Sequence, residues 1–178
     1  QDSDRIADGA GWAQFLQLLK RHRRRQPING VLVAYSASDL LVRSEQEFDG
    51  DVAAMRQRIE ELNRNLGITL PVYLLITKAD LISGFREYFD DLDAAGRAQV
   101  WGVTFPLDDS QSGRALAQLP SEFDALSDRL NRGLFARLQA EKDARRRSVL
   151  FAFPQQFGAL RSRLLELVNQ TFGGTDFD

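Results

Sequence analysis

The clearest pattern of apolar positions predicts a capped amphipathic helix over residues 44–66. Ser44 and Glu47 have the spacing of a capping box, and Gly67 follows where helices commonly end. Apolar side chains recur between them at intervals of three and four residues, at Phe48, Val52, Met55, Ile59, Leu62 and Leu66. A stripe this short between two predicted strands favours packing on a sheet over a coiled coil.

Two short apolar runs flank that helix and predict strands buried on both faces. They are residues 28–35 (INGVLVAY) and 71–76 (PVYLLI), both rich in β-branched side chains. The connection between them is long enough for a right-handed parallel crossover. A third strand is predicted over residues 99–105 (QVWGVTF), ended by Pro106, and a fourth over residues 149–153 (VLFAF).

Helical spacing dominates the remaining segments. The spacing predicts a first helix that ends near Pro27, a helical stretch around residues 85–92, a long helix after Pro120, and a last helix. The apolar positions of these helices are Trp12, Phe15, Leu16 and Leu19; Phe123, Leu126, Leu130, Leu134 and Leu138; and Phe157, Leu160, Leu164, Leu167 and Val168. The expected fold class is α/β, a mostly parallel sheet flanked by helices, with a more helical C-terminal part.

The composition is that of one folded domain, and it excludes several kinds of functional site. The 178 residues are 43% apolar with twelve Phe, which is enough material for one folded domain. The sequence has no Cys and a single histidine, His22, so thiol chemistry and Cys/His zinc sites are excluded. No run of residues is apolar for long enough to predict a membrane span. Because the sequence opens on Gln1 rather than Met, we expect a fragment of a longer protein or a processed chain.

The formal charge of −2 argues against a nucleic-acid binder, the hypothesis that two arginine runs would otherwise suggest. The first run, at residues 20–25 (KRHRRR), lies at the end of the first predicted helix. There it is either a solvated last turn or a patch for a membrane surface or partner. The second run, at residues 145–147, is either a hydrated strand entrance or a site for phosphate or an acidic partner. We expect no catalytic and no metal-binding residues in this chain.

A candidate binding motif follows the second predicted strand. Thr77, Lys78 and Asp80 form a Thr-Lys-x-Asp sequence at the carboxyl end of a parallel strand, where open α/β sheets bind ligands. In GTPase-type P-loop proteins this loop faces the base: the Asp accepts hydrogen bonds from guanine and the Lys stem packs along the ring. A phosphate loop would contain a Gly-Lys pair, and none occurs in the sequence. We therefore expect no nucleotide cofactor in this chain by itself.

The order of several segments resembles the IcmF/TssM family, the large inner-membrane component of type VI secretion systems. The strings QVWG at residues 99–102 and FPQQF at residues 153–157 carry the resemblance most specifically. The other matching segments are residues 12–25, 27–31, 77–81, 84–85 and 104–106. The match extends over nearly the whole chain.

The resemblance implies a GTPase-like domain on the cytoplasmic face of the bacterial inner membrane, in a chain that spans that membrane. It also implies that the phosphate loop precedes this sequence, so that the chain lacks the phosphate-loop half of a P-loop GTPase-like domain. Residues 1–178 then form a single cytoplasmic domain fragment, with a sheet region at 1–106 and a helical extension at 107–178 packed on it.

Two functional hypotheses follow. The first is a structural and interaction module of the secretion membrane complex, which docks inner-membrane and baseplate partners in an oligomeric assembly. The alternative is an NTPase domain in the longer protein that uses GTP or ATP with Mg²⁺ to drive assembly or secretion. In that alternative Thr77, Lys78 and Asp80 recognise the base, although the Thr77 hydroxyl cannot form both hydrogen bonds of an Asn carboxamide.

Overall fold

The computed structural model describes residues 2–23, 28–68, 70–99 and 101–173. These residues form a mostly helical fold with one small parallel sheet. The strands are β1 (Val31–Ser36) and β2 (Val72–Thr77). The helices are α1 (Asp2–His22), α2 (Ala37–Val42), α3 (Glu45–Leu66), α4 (Phe85–Tyr88), α5 (Ala94–Arg97), α6 (Leu107–Gln111), α7 (Arg114–Ala140), α8 (Ala144–Gly158) and α9 (Arg161–Phe172).

The two strands pair in parallel, as the sequence predicts. The register runs from Val31 opposite Val72 to Ser36 opposite Thr77. Helices α2 and α3 lie between the strands in sequence and make the crossover that a parallel pair requires. The prediction of one parallel unit with a capped helix between its strands is confirmed.

Helix α3 begins and ends as its sequence signals predict. The Ser44 backbone N–H donates to Glu47 Oε2 at 3.0 Å, and the Glu47 N–H donates to Ser44 Oγ at 3.4 Å. Hydrogen bonds from Ser44 lower the pKa of the Glu47 carboxyl. Gly67 ends the helix in the left-handed region with φ of 65°, which glycine adopts without a steric penalty.

The third and fourth predicted strands are wrong. Residues 101–106 form no regular structure, and Val100 lies outside the described residues. Residues 149–153 lie inside α8, where the buried side chains of Leu150, Phe153 and Phe157 recur with helical spacing. A short apolar run fits a buried strand and a buried helix equally well, and here tertiary packing selects the helix. Within the described residues the sheet therefore has two strands, and the fold is more helical than predicted.

The ends of several other helices differ from the prediction. Helix α1 starts at Asp2, well before its apolar repeat, and ends at His22, while residues 24–27 lie outside the described residues. Helix α7 starts at Arg114 and includes Pro120 in its interior. None of the described helices has the length and apolarity that crossing a membrane would need.

The main core is built around aromatic side chains of α4, α7 and α8. Phe153 is completely buried, and its ring centroid lies 5.1 Å from that of Tyr88 and 5.9 Å from that of Phe89. The Phe157 ring stacks parallel to Phe123 at 4.8 Å. The same cluster includes Tyr35 and Phe48, so it joins the sheet region to the C-terminal helices.

Gly84 allows α8 to approach the start of α4. A Cβ atom at this position would clash with the Val149 carbonyl oxygen and lie 2.8 Å from Phe153 Cβ. Its φ of 84° also lies in the left-handed region that favours glycine. Both constraints require glycine where the two elements meet.

A charged clamp fastens α9 to α3. Two guanidinium nitrogens of Arg163 donate to the two carboxylate oxygens of Glu45, each at 2.9 Å. The same guanidinium lies 4.6 Å from the centre of the Phe48 ring and also pairs with Glu166 at 3.2 Å. Helix α9 therefore covers the beginning of α3 with both charged and apolar contacts.

We expect Phe153→Ala to destabilise the fold by about 3 to 5 kcal/mol, because it opens a cavity in the middle of the aromatic core. Phe151→Ala is the matched control, since Phe151 lies two residues away on the same helix and its side chain is 68% exposed. The control should change the free energy of unfolding by about 0.5 kcal/mol or less. Urea unfolding measures both, and equal effects would contradict this description of the core.

Candidate functional site at the carboxyl end of the sheet

The Thr-Lys-x-Asp sequence forms a tight loop directly after β2. Thr77 is the last residue of the strand, and Ala79–Leu81 form a single 3₁₀ turn. Lys78 between them has φ of 55° and ψ of 30°, the one positive φ of a non-glycine residue within the described parts of the chain. A lysine in this region costs free energy that neighbouring contacts must offset. The loop conformation is therefore imposed by its surroundings.

Thr77 is held against the end of the neighbouring strand. Its hydroxyl donates to the Tyr35 carbonyl oxygen at 3.3 Å, and its side chain is half-buried. This hydrogen bond fixes the start of the loop relative to the end of β1. Thr77 therefore positions the loop instead of presenting its hydroxyl to solvent.

Lys78 and Asp80 are both exposed. The Asp80 carboxylate accepts a hydrogen bond from the Arg86 guanidinium at 3.0 Å, with half of the Asp80 side chain still accessible. An exposed pair of this kind contributes little stability, so a competing donor can displace Arg86 at small cost. The structure thus brings the three predicted residues into one loop with different roles: Thr77 is used internally, while Lys78 and Asp80 remain available.

The end of β1 contributes polar groups that no sequence motif identified. Ser36 is buried and caps α2, and its hydroxyl oxygen accepts the Asp39 backbone N–H at 3.3 Å. The hydroxyls of Ser36 and Ser38 lie 2.8 Å apart. Since β1 and β2 are parallel, these groups lie at the same edge of the sheet as the Thr77 loop. The sequence contains one signal for this helix cap: a serine lies directly after a predicted strand and three residues before an aspartate.

Tyr35 and Asp51 tie this edge to α3. The Tyr35 phenol donates to Asp51 Oδ2 at 2.9 Å, and Arg43 lies 3.3 Å from the same carboxylate oxygen. Two effects raise the pKa of Tyr35 to about 12: burial of the ring, which is the larger effect, and the hydrogen bond to Asp51. The phenol is therefore neutral at physiological pH and acts as a fixed donor.

The acidic turns outside this edge are engaged in structural contacts. Asp90 pairs with Arg146 at 2.7 Å, Asp91 pairs with Arg137 at 3.2 Å, and Asp93 caps α5 by accepting the Gly96 N–H at 2.7 Å. Among the described residues no group of three acidic or histidine side chains could hold a metal ion.

The second arginine run, residues 145–147, lies in the first turn of α8 and not at the entrance of a strand. Asp143 caps that helix by accepting the Arg146 backbone N–H at 2.8 Å, and Glu141 Oε2 accepts a hydrogen bond from Arg146 Nε at 2.8 Å. In the first run, Arg24 and Arg25 lie outside the described residues. Arg21 before them is exposed on the last turn of α1.

Comparison with known proteins gives one family and one curated relative. Residues 6–178 match the family described as the IcmF-related N-terminal domain. The chain is 49% identical over 173 residues to a protein of Pseudomonas aeruginosa named type VI secretion system component TssM1. The aligned part is 97% of this chain and 16% of that relative, so the chain spans about a sixth of the relative's length. No solved structure matches.

The raised pKa of Tyr35 predicts a loss of stability at high pH. The pKa of the phenol is near 10.0 in an unfolded chain and about 12 in the folded protein, so the folded state favours the protonated form. This stabilisation, about 2 to 3 kcal/mol, is complete below pH 10 and is lost as the pH rises through 12. Urea unfolding of the wild type and of Tyr35→Phe between pH 9 and pH 12 isolates it. Parallel pH profiles for the two proteins would contradict the assignment.

Proposed function

The chain belongs to the IcmF-related N-terminal domain family, and from that membership we propose that it is a structural and interaction module of a type VI secretion membrane complex. In this proposal it lies on the cytoplasmic face of the bacterial inner membrane. It docks inner-membrane and baseplate components within an oligomeric assembly. The observation that carries the proposal is 49% identity across 97% of the chain to a named type VI secretion component.

The distribution of apolar side chains supports a docking role. Val42 at the end of α2 is 77% exposed and Leu81 beside the Thr77 loop is 60% exposed, and α2 packs against the 3₁₀ turn that contains Leu81. Neighbouring apolar side chains at such exposure are typical of surfaces that another protein covers. The basic end of α1 adds a positively charged site for encounter with an acidic partner.

One observation favours a second candidate function, nucleotide recognition in a P-loop GTPase-like domain of a longer protein. The Thr77 loop lies at the carboxyl end of a parallel strand, and the Asp80 carboxylate is accessible to a base. In this alternative a phosphate loop outside residues 1–178 holds GTP or ATP with Mg²⁺, while Lys78 and Asp80 bind the base. The docking role is favoured, because the hydroxyl of a threonine at position 77 cannot form both of the hydrogen bonds that an asparagine carboxamide would form.

Nucleotide recognition is tested by Asp80→Ala in the longer protein, with Arg86→Ala as the matched control. If Asp80 binds guanine, its removal takes away charge-assisted hydrogen bonds of about 1.5 to 3 kcal/mol and lowers the affinity roughly 10- to 150-fold. The control breaks the same ion pair but keeps the carboxylate, so it should bind nucleotide at least as well as the wild type. Titration calorimetry measures the affinities.

The docking proposal also makes a prediction about secretion by bacteria that carry the Asp80→Ala variant of the longer protein. We expect Asp80→Ala to leave secretion near the wild-type level. A secretion defect with unchanged protein level and unchanged partner capture would instead make nucleotide turnover the function.

The basic end of α1 is tested by the double substitution Arg21→Glu and Arg23→Glu in the longer protein. We expect association with baseplate components to slow several-fold, with the difference shrinking as salt is added, because long-range attraction chiefly affects the rate of encounter. The double substitution Arg97→Glu and Arg129→Glu, at exposed positions of α5 and α7, makes the same change of charge away from α1 and is the control. Surface plasmon resonance at two salt concentrations measures the rates. Equal slowing by the control would contradict a role for this run.

A further inference from the structure

One side of α8 carries exposed side chains along most of the helix. Arg147, Phe151 and Gln155 are exposed and follow one another at intervals of four residues, so they lie on the same side of the helix. Phe153 and Phe157 are buried and attach the helix to the core from another side. We call Arg147, Phe151 and Gln155 the α8 stripe.

The charge of Arg147 has no partner within the described part of the chain. The guanidinium of the preceding residue, Arg146, pairs with Glu141 at 2.8 Å and with Asp90 at 2.7 Å. The Arg147 guanidinium makes no hydrogen bond or ion pair with any described residue. It also lies in the first turn of α8, near the positive end of the helix dipole, where a cation is unfavourable. The charge of Arg147 therefore does not stabilise the helix.

Phe151 places an aromatic ring in water one turn further along the stripe. Its side chain is 68% exposed, and its ring contacts no aromatic ring or cation of the described residues. A single exposed ring is ordinary on a protein surface. A ring four residues from an unpaired guanidinium has instead the composition of a protein interface, where Phe and Arg are both enriched. Gln155 adds an amide that can donate and accept hydrogen bonds at the end of the stripe.

The charges around the stripe favour an acidic protein segment over a membrane or a nucleic acid. Residues 141–147 (EKDARRR) hold four cations and two carboxylates, which gives a net charge of +2. Anionic bilayers are bound by clusters of about four to eight cations, and nucleic acids by comparable arrays. Carboxylates within the segment oppose both. A protein segment that presents a few carboxylates at fixed positions complements this pattern better.

We propose that the α8 stripe docks an acidic helical segment of another protein. A carboxylate of that segment pairs with the Arg147 guanidinium, and an apolar side chain packs on the Phe151 ring. A helix presents two such groups four residues apart on one face, which matches the spacing of Arg147 and Phe151. This inference rests on the proposed docking function and names one surface that serves it.

Photo-crosslinking in bacteria that carry the longer protein identifies the segment. Phe151→p-benzoylphenylalanine places a reactive ketone on the stripe, and mass spectrometry maps the adducts. We expect attachment to a different protein, with at least two Asp or Glu within about four residues of the attachment point. Attachment to lipid, to a second copy, to another part of the same chain or to a segment without carboxylates would overturn the proposal, as would the absence of an adduct.

A synthetic peptide of the crosslinked segment then tests the charge contact by fluorescence anisotropy. We expect Arg147→Glu in the longer protein to weaken peptide binding about 10-fold or more, because it places like charges in contact. Arg145→Glu is the matched control, since Arg145 is exposed in the same turn but lies on another side of the helix. The control should change the dissociation constant about 2-fold or less. Equal weakening by both variants would contradict the assignment of the stripe.

Stability and charge exchange complete the test. A glutamate in the first turn is favourable for the helix dipole, so neither variant should lower the midpoint of urea unfolding. Exchange of the contacting carboxylate for lysine in the peptide should restore binding to Arg147→Glu, and failure to restore it would count against the proposed pair.

Binding of the longer protein to purified baseplate components, measured by surface plasmon resonance, separates this inference from the proposed function. If those components bind but the stripe gives no adduct, the docking role stands and this surface is wrong. If the wild-type protein does not bind them, the docking role itself is wrong and the inference falls with it.

Discussion

The packing of Phe153 against the rings of α4 is the contact on which the rest of the architecture depends. The centroid of its ring lies 5.8 Å from that of Phe85, 5.1 Å from that of Tyr88 and 6.4 Å from that of Phe157. Gly84 makes this approach possible by lacking a Cβ atom where α8 crosses. Because α4 follows the Thr77 loop closely in sequence, the same contact also restrains the loop from its downstream side.

Tyr88 extends this constraint to α7. Its hydroxyl donates to the Leu130 carbonyl oxygen at 2.7 Å, and Arg137 both covers its ring at 4.4 Å and donates to its backbone carbonyl. Burial of the ring raises the pKa of Tyr88. The sheet edge, α4, α7 and α8 are thus connected through a few aromatic side chains, and the exposed acidic turn at Asp91 is attached to them by Arg137.

Local signals in the sequence predict α3 and the parallel pairing correctly, and they fail where the tertiary context decides. A capping box and a glycine after the last turn act through hydrogen bonds and backbone conformation within a few residues. They therefore mark the ends of a helix with little dependence on the rest of the chain. The run at residues 149–153 carries no such signal, and only its packing on α4 shows that it is helical. At the candidate site the motif was visible in sequence, whereas the pairing of Asp80 with Arg86 and of Thr77 with the Tyr35 carbonyl was not. The last of these joins residues of different strands.

The Arg163–Glu45 clamp has a consequence for the order in which the protein is made. The two residues are 118 positions apart, so the face of α3 that α9 covers has no partner until the C-terminal helices leave the ribosome. At about 5 to 20 residues per second, that interval lasts roughly 6 to 24 s. During it the part of Phe48 and of the beginning of α3 that α9 covers is accessible to chaperones and to neighbouring nascent chains. Of the ion pairs among the described residues this one spans the longest stretch of sequence, so the beginning of α3 is one of the last surfaces that the growing chain can cover.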